Sequence, residues 1–143
     1  MTIKFYQTKA EYGFLNNFYQ AKFFIYDKWW SDVEHAYQAQ KTAIPGEINK
    51  IWAAATPREA RNMGQLVQMR PDWDQVKYSI MKECVKAKFL QHQDLKEKLI
   101  ATGNEEIIED SPVDWWWGCG KDGTGQNNLG KILVEVRAEL RAN

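Results

Sequence analysis

The sequence of 143 residues has two cysteines, four prolines and no net charge, and each shortage closes off a class of protein. Cys84 and Cys119 make no disulfide framework, and neither has a second Cys or a His beside it at metal-ligand spacing. A thiol-poor chain of this kind fits a reducing compartment, so the cytoplasm is the expected location. Balanced charge, with a pI near 6.7, removes the global basic field of a duplex-binding protein but leaves room for a local basic cleft. No apolar run reaches membrane-spanning length, and the opening MTIKFYQTKAEYGF has neither the apolar core nor the cleavage site of a signal peptide. Without an internal repeat, low-complexity tract or linker, a single domain over residues 1–143 is expected.

What the chain has in quantity is aromatic: seven Trp, six Tyr and six Phe. Such residues fill cores first, and they also make flat walls on which a base or sugar can stack. TIKFYQ and AKFFIY read as short strands, separated by a turn at Gly13 and Asn16-Asn17. Ser31 and Asp32 offer an N-cap, and the helix they start is predicted to end at Pro45-Gly46. A short helix over Glu47–Ala55 follows. TPREARNMG then carries Thr56 as cap, Pro57 at the first helical position, Glu59 three residues after the cap and Gly64 as the stop. The longest helical pattern lies in RPDWDQVKYSIMKECVKAKFLQH, where Val76, Ile80, Cys84 (or Val85), Ala87 and Leu90 or Gln91 repeat at three- and four-residue steps. Asp94 is placed to cap LKEKLIAT, EIIED reads as a strand, residues 110–128 are irregular, and LGKILVEVRAELR closes the chain as a helix. The expectation is an α+β domain, mostly helical, with a small β-sheet.

Three clusters bear on chemistry. On the first helix, at about 100° per residue, Val33, Tyr37, Gln40 and Ile44 share a face, and Glu34, Gln38 and Lys41 form a stripe along its edge. Partial burial raises the pKa of a carboxyl such as Glu34 toward the range useful for proton transfer. A desolvated Lys41 loses its proton and becomes a nucleophile toward an anomeric or carbonyl carbon. The same residues also fit a structural ladder in which Glu34 and Lys41 pair through Gln38. His35 points to the far side and reads as a surface or packing histidine.

The second cluster is DSPVDWWWGCGKDGTGQNNLG, residues 110–130. Long irregular segments of compact domains are often functional. Asp114 supplies a second carboxylate, as glycoside cleavage commonly requires. The glycines permit close backbone approach to a ligand, and Asn127-Asn128 lead into a helix N-terminus whose amides suit a phosphate. The spacing is neither a Walker loop nor a dinucleotide fingerprint. Third come Arg58, Arg61, Lys50 and Arg70, of which Arg58 and Arg61 lie three apart on one helix and can clamp a phosphate. Lys86, Lys88, Lys96 and Lys98 read as solvating charge.

The segments YGFLNNFY, EHAYQAQK, ATPREARNMG, RPDWDQVKYSIMKECVKAKFLQH, LIATG and WGCGKDGTGQNNLGKILVEVRAEL, in this order and spacing, resemble the NADAR family, the YbiA-like N-glycosidases. The resemblance runs through nearly the whole chain. It implies a YbiA-like fold and cleavage of N-glycosidic bonds. Two substrate classes go with it: ribosylamino-pyrimidine phosphates of riboflavin synthesis, and ADP-ribose attached to guanine in nucleic acid. It further implies that Glu34, Lys41 and Asp114 are catalytic, with Trp117 and Gly118 of the late loop facing the first helix. Asn17, Phe18 and Asn128 would complete the pocket, and with Tyr37, Gln38, Arg58 and Arg61 they form the expected substrate-binding set. Gln65 stands where a basic residue is common in relatives, which passes a phosphate contact to Arg58 or Arg61. Neither a metal nor a cofactor is expected. The expected partners are a small-molecule N-glycoside or ADP-ribosylated guanine, with a single-stranded nucleic-acid segment compatible and no membrane. Two mechanisms are open, attack of Lys41 on C1 of the ribose to give an imine, or activation of water by Glu34 or Asp114. The reading of a different class is a module that binds ADP-ribose or a nucleotide without cleaving it.

Overall fold

The computed structural model describes residues 1–142. In chain order the elements are β1 (Thr2–Phe5), a 3-10 turn (Gly13–Leu15), β2 (Phe23–Ile25), β3 (Lys28–Trp30), α1 (Val33–Ala39), α2 (Pro45–Trp52), α3 (Pro57–Gly64), α4 (Trp73–Gln91), α5 (Gln93–Ala101), β4 (Glu106–Glu109) and α6 (Asn128–Arg141). The α+β class is as predicted, but the strands form two two-stranded sheets rather than one. No helix among the described residues is long and apolar enough to cross a membrane. The chain divides into two compact units, Gln20–Gln91 and a second made of Met1–Tyr19 with the chain from His92 onward.

In the Gln20–Gln91 unit, β2 and β3 are an antiparallel hairpin in which Phe23 faces Trp30 and Ile25 faces Lys28. The loop is Tyr26-Asp27, both with positive φ (55° and 61°), the backbone of a two-residue primed turn. No glycine marks it, which is why β3 is absent from the sequence reading. Side chains close both outer edges of this ribbon. The Gln91 carboxamide accepts from Phe24 N at 2.7 Å and donates to Phe24 O at 2.9 Å, while the Trp52 indole donates to Trp29 O at 2.8 Å.

Asp32 rather than Ser31 caps α1, accepting from His35 N at 2.9 Å. The helix stops at Ala39 and does not continue to Pro45. The physical reason is that Ile44, preceding a proline, is extended (φ −86°, ψ 115°) and Pro45 sits at the start of α2, so the proline opens a helix instead of closing one. Every residue of α1 is buried, so the solvated flank expected of an edge stripe is missing. The Thr56 cap of α3 forms as predicted, accepting from Glu59 N at 3.1 Å, and Glu59 accepts in turn from Ala55 N. On α4 the buried positions are Trp73, Ile80, Met81, Cys84, Val85, Lys88 and Phe89. Lys88, 1% exposed, is therefore no solvating charge; burial drives its pKa down to about 7 against the opposing pull of Asp32.

In the other unit, β1 pairs in parallel with β4, Thr2 beside Glu106 through Phe5 beside Glu109. Ile3, Phe5 and Ile107 turn inward. Helix α6 buries Leu129, Ile132, Leu133, Val136 and Leu140, the spacing of one helical face. Its approach to β4 is close enough that a Cβ on Gly130 would overlap the Ile107 carbonyl. Asn127, at φ 53°, completes the free edge of β4 by accepting from Glu109 N and donating to Ile107 O, both at 2.9 Å. Arg137 donates to Thr102 Oγ1 at 2.8 Å, and Arg141 bonds Asn104 and Gly103, so α6 holds the C-terminal end of α5. His92, not Asp94, occupies the N-cap position of α5.

Candidate active site

In the Gln20–Gln91 unit, α1 brings Glu34 and Gln38 one turn apart and joins them: Gln38 Nε2 donates to Glu34 Oε2 at 2.7 Å. Glu34 is 7% exposed. Burial raises its pKa; the Gln38 bond and the charges of Arg61 and Lys41 resist that rise, while Asp32 adds to it. Lys41 lies just past the helix, half-buried, its amide bonded to Gln38 O at 3.2 Å. Burial lowers its pKa; Glu34 opposes this, and Arg61 and Lys77 reinforce it. The acid is pushed up and the amine down, each toward neutrality, within one electrostatic neighbourhood.

Helix α3 crosses against this stripe. A Cβ on Gly64 would lie 2.8 Å from Gln38 Cδ and 3.2 Å from Gln38 Cβ, so only glycine admits the carboxamide there. Gln38 Oε1 is buried against that glycine and has no hydrogen-bond partner among the described residues. Arg61 and Arg58 are both exposed on α3. Arg61 acts on Glu34 and Lys41, whereas Arg58 is not among the charges acting on either. Tyr37 is buried, its ring 5.2 Å from that of Trp73 at the start of α4.

His35 is not on the surface. It is 1% exposed, with Nδ1 2.8 Å from the Asp32 carboxylate and Nε2 2.9 Å from Ala54 O. Asp32 also accepts from Gln20 at 2.9 Å. This buried pair and Lys77 were missed in the sequence. The Asp-x-x-His spacing from a cap residue is the signal for the first, and the position four residues after Trp73 is the signal for the second.

The late-loop residues belong to the other unit. Asp114 Oδ1 accepts from Trp116 N at 3.0 Å and Trp117 N at 2.7 Å, so this oxygen organises a turn. Trp117 stands edge-on to Trp116, with centroids 4.4 Å apart. Gly118 is buried where a Cβ would come within 2.7 Å of Glu109 Oε2 and 2.9 Å of Ser111 Cβ. Asn128 and Asn17 are buried, and Phe18 N donates to Asn16 Oδ1 at 2.7 Å. The phosphate site expected at the start of α6 is not open. Asn127, Asn128 and Leu129 already give their amides to Gly118 O, Trp116 O and Trp117 O at 3.0, 3.0 and 3.1 Å.

A cavity of about 320 Å³ beside α4 is lined by Tyr26, Gln40, Arg70, Ser79 and Glu83, and none of the predicted catalytic residues lines it. Among the described residues no three His, Cys, Asp or Glu side chains gather as a metal site.

With this geometry, the chain matches the NADAR domain over residues 4–141. It is 47% identical to the N-glycosidase Npun_R5314 of Nostoc punctiforme, covering 99% of this chain and 94% of that one. It is 35% identical to the N-glycosidase YbiA of Escherichia coli, covering 96% and 88%. The riboflavin biosynthesis protein VVA0006 of Vibrio vulnificus is 38% identical, but only 38% of that longer chain is covered. The NMR structure of E. coli YbiA superposes with a TM-score of 0.91 at 34% identity, over 99% of this chain and 85% of that chain. The chain belongs to the NADAR family. Its relatives' names place it among N-glycosidases, and it is an enzyme of that hydrolase class.

Proposed function

We propose that the chain hydrolyses the bond between ribose C1 and an amino-substituted base, with Glu34 as proton shuttle and Lys41 as nucleophile. The observation that carries this reading is the opposed shift of the two groups, a buried acid raised and a half-buried amine lowered, which matches an acid that must hold a proton and an amine that must lose one. In the first step protonated Glu34 gives its proton to the leaving nitrogen as the C1–N bond breaks. Lys41 Nζ bonds to C1, and as the ring opens one Nζ proton passes to the ring oxygen, leaving a protonated imine. Water then adds to C1, the C1–Nζ bond breaks to release the free sugar, and the surplus proton on the Lys41 amine returns to the Glu34 carboxylate. Asp114 enters as a stabiliser of the positive charge on the sugar on the support of the family resemblance alone.

A ribosylamino-pyrimidine phosphate is the favoured substrate, because one relative is named for riboflavin biosynthesis. ADP-ribosyl-guanine is the second. The test is product analysis by mass spectrometry on both, with borohydride present or absent. We expect free base from at least one substrate, a borohydride-trapped adduct on Lys41, and a loss of roughly 10²–10⁴-fold in kcat for Glu34→Gln and of the adduct for Lys41→Ala. Full turnover without a trapped adduct removes the imine and leaves activation of water. Binding of ADP-ribose without release of base from either substrate replaces the enzyme with a binding module.

A further inference from the structure

The cavity of about 320 Å³ beside α4 is lined entirely by residues of the Gln20–Gln91 unit. Its size is at the small end of ligand sites, roughly 300–1,000 Å³. Helical spacing on α4 supplies its base: Val76 and Ile80 are one turn apart, and so are Ser79 and Glu83, which sets an apolar pair beside a polar one. Tyr26 is held there against its backbone preference. Its φ of 55° belongs to turn positions that favour asparagine, aspartate or glycine, and a bulky side chain at such a position is an outlier. Strain of this kind collects at ligand clamps. The Tyr26 hydroxyl donates to Glu83 Oε1 at 3.0 Å, and burial, with Cys84 and Glu83 adding to it, pushes its pKa up, so the phenol stays neutral. The two charges in the lining are met unequally. Arg70 is matched by Asp72 through two parallel bonds, at 2.7 and 3.0 Å. The hydrogen bond to Glu83 comes from the neutral phenol, and neither Lys82 nor Lys86, its neighbours on α4, lines the cavity. The result is an apolar base, an aromatic wall and one carboxylate whose charge no lining cation offsets.

We propose that this cavity is a second ligand site, separate from the Glu34–Lys41 stripe, for a planar organic monocation of the amidinium or aryl-ammonium kind. Glu83 takes the charged end through charge-assisted hydrogen bonds. The Tyr26 ring attracts the cation by its π face, and Val76 and Ile80 cover the apolar body. Gln40 Nε2 is engaged with Ala36 O at 3.2 Å, so its carbonyl oxygen, with the Ser79 hydroxyl, is the acceptor for the remaining N–H groups. Ser79 and Glu83 are exposed, which leaves the site open to a ligand from solution.

The test is a titration of benzamidine into the full chain, followed by ¹H–¹⁵N spectra, with neutral benzamide and anionic benzoate as controls of the same shape. Saturable shifts are expected at Tyr26, Ser79 and Glu83. Binding should be about tenfold weaker for benzamide than for benzamidine, and weaker by a similar factor for benzamidine with Glu83→Gln, which still accepts from the Tyr26 hydroxyl. Tyr26→Asn suits the turn but removes the wall, and Ser79→Trp fills the cavity from an exposed position on α4; each should weaken benzamidine binding, and the second serves should the first not fold. Turnover of an N-glycoside by Glu83→Gln should equal that of wild type. No saturable shift at these residues, benzamide or benzoate bound as tightly as benzamidine, or unchanged affinity in Glu83→Gln overturns the proposal. A loss of turnover in Glu83→Gln overturns the separation of this site from the catalytic one.

Discussion

Two acceptors flank the His35 ring, the Asp32 carboxylate at Nδ1 and the Ala54 carbonyl at Nε2. The Asp32 oxygens already accept from His35 N and Gln20, and a peptide carbonyl has no proton to give, so both ring nitrogens donate and the ring is an imidazolium. Burial alone would lower its pKa; the bond and charge of Asp32, with help from Ala54 and Glu34, override this and raise it. ¹⁵N spectra should show both ring nitrogens protonated at pH 7, and a neutral tautomer there would refute this assignment. His35→Leu strands a buried carboxylate and should cost about 3 kcal/mol. A folded-state pKa above the unfolded value of 6.5 means that the pair's contribution is complete below pH 6.5. It fades as pH rises through the folded value, so the stability gap between wild type and variant should narrow in alkaline denaturant melts. Gln38 acts on the neighbouring acid, since its bond holds the Glu34 carboxyl lower than burial would set it. Gln38→Leu should accordingly move the acid limb of the pH–rate profile upward. At this scale the sequence shows the Glu34–Gln38–Lys41 spacing, which helical geometry fixes. It hides the burial of His35 and Lys88, which depends on what packs around α1 and α4.

Helix α3 forms where the sequence places it, because Thr56, Pro57, Glu59 and Gly64 each carry a local instruction. Yet Gly64 does more than end a helix. Its missing Cβ is the space in which the Gln38 carboxamide lies, and hence the support for Glu34. Gly64→Ala should keep the helix, which alanine favours, but displace Gln38. The expected result is about 1–3 kcal/mol of overpacking cost with a drop in kcat larger than any change in KM. An unchanged kcat would show that the carboxamide has no part in holding Glu34. Elements defined by tertiary context are the ones the sequence conceals. The turn at Tyr26-Asp27 lacks glycine, and the end of α1 depends on Ile44 adopting an extended backbone before Pro45.

Across the whole molecule, the parallel pairing of β1 with β4 ties the first residues of the chain to a strand about a hundred positions later. The composition and alternating patterns make the α+β class legible, but no local signal tells which strand will pair with which. Closing so long a loop is slow, and its protection in pulsed hydrogen exchange should appear after that of α4. Removing residues 1–5 takes away the buried Ile3 and Phe5 and uncovers one side of β4. This should lower stability by about 3–5 kcal/mol or more, read as an earlier urea midpoint. A midpoint equal to that of the full chain would mean that β4 and α6 need no strand beside them.

The amide of Gln91 on the outer side of β2 and the indole of Trp52 on that of β3 also bear on what happens when many copies are crowded together. A ribbon bearing Phe24 and Trp29 on an exposed face is a template onto which another chain's strand could dock and from which filaments could grow. A side chain already seated in the ladder denies that docking position, much as a plug denies a socket. Replacing Gln91 by valine would leave the fold's interior untouched but reopen the socket, and the cost would appear as turbidity and fibre-like scattering in concentrated solution.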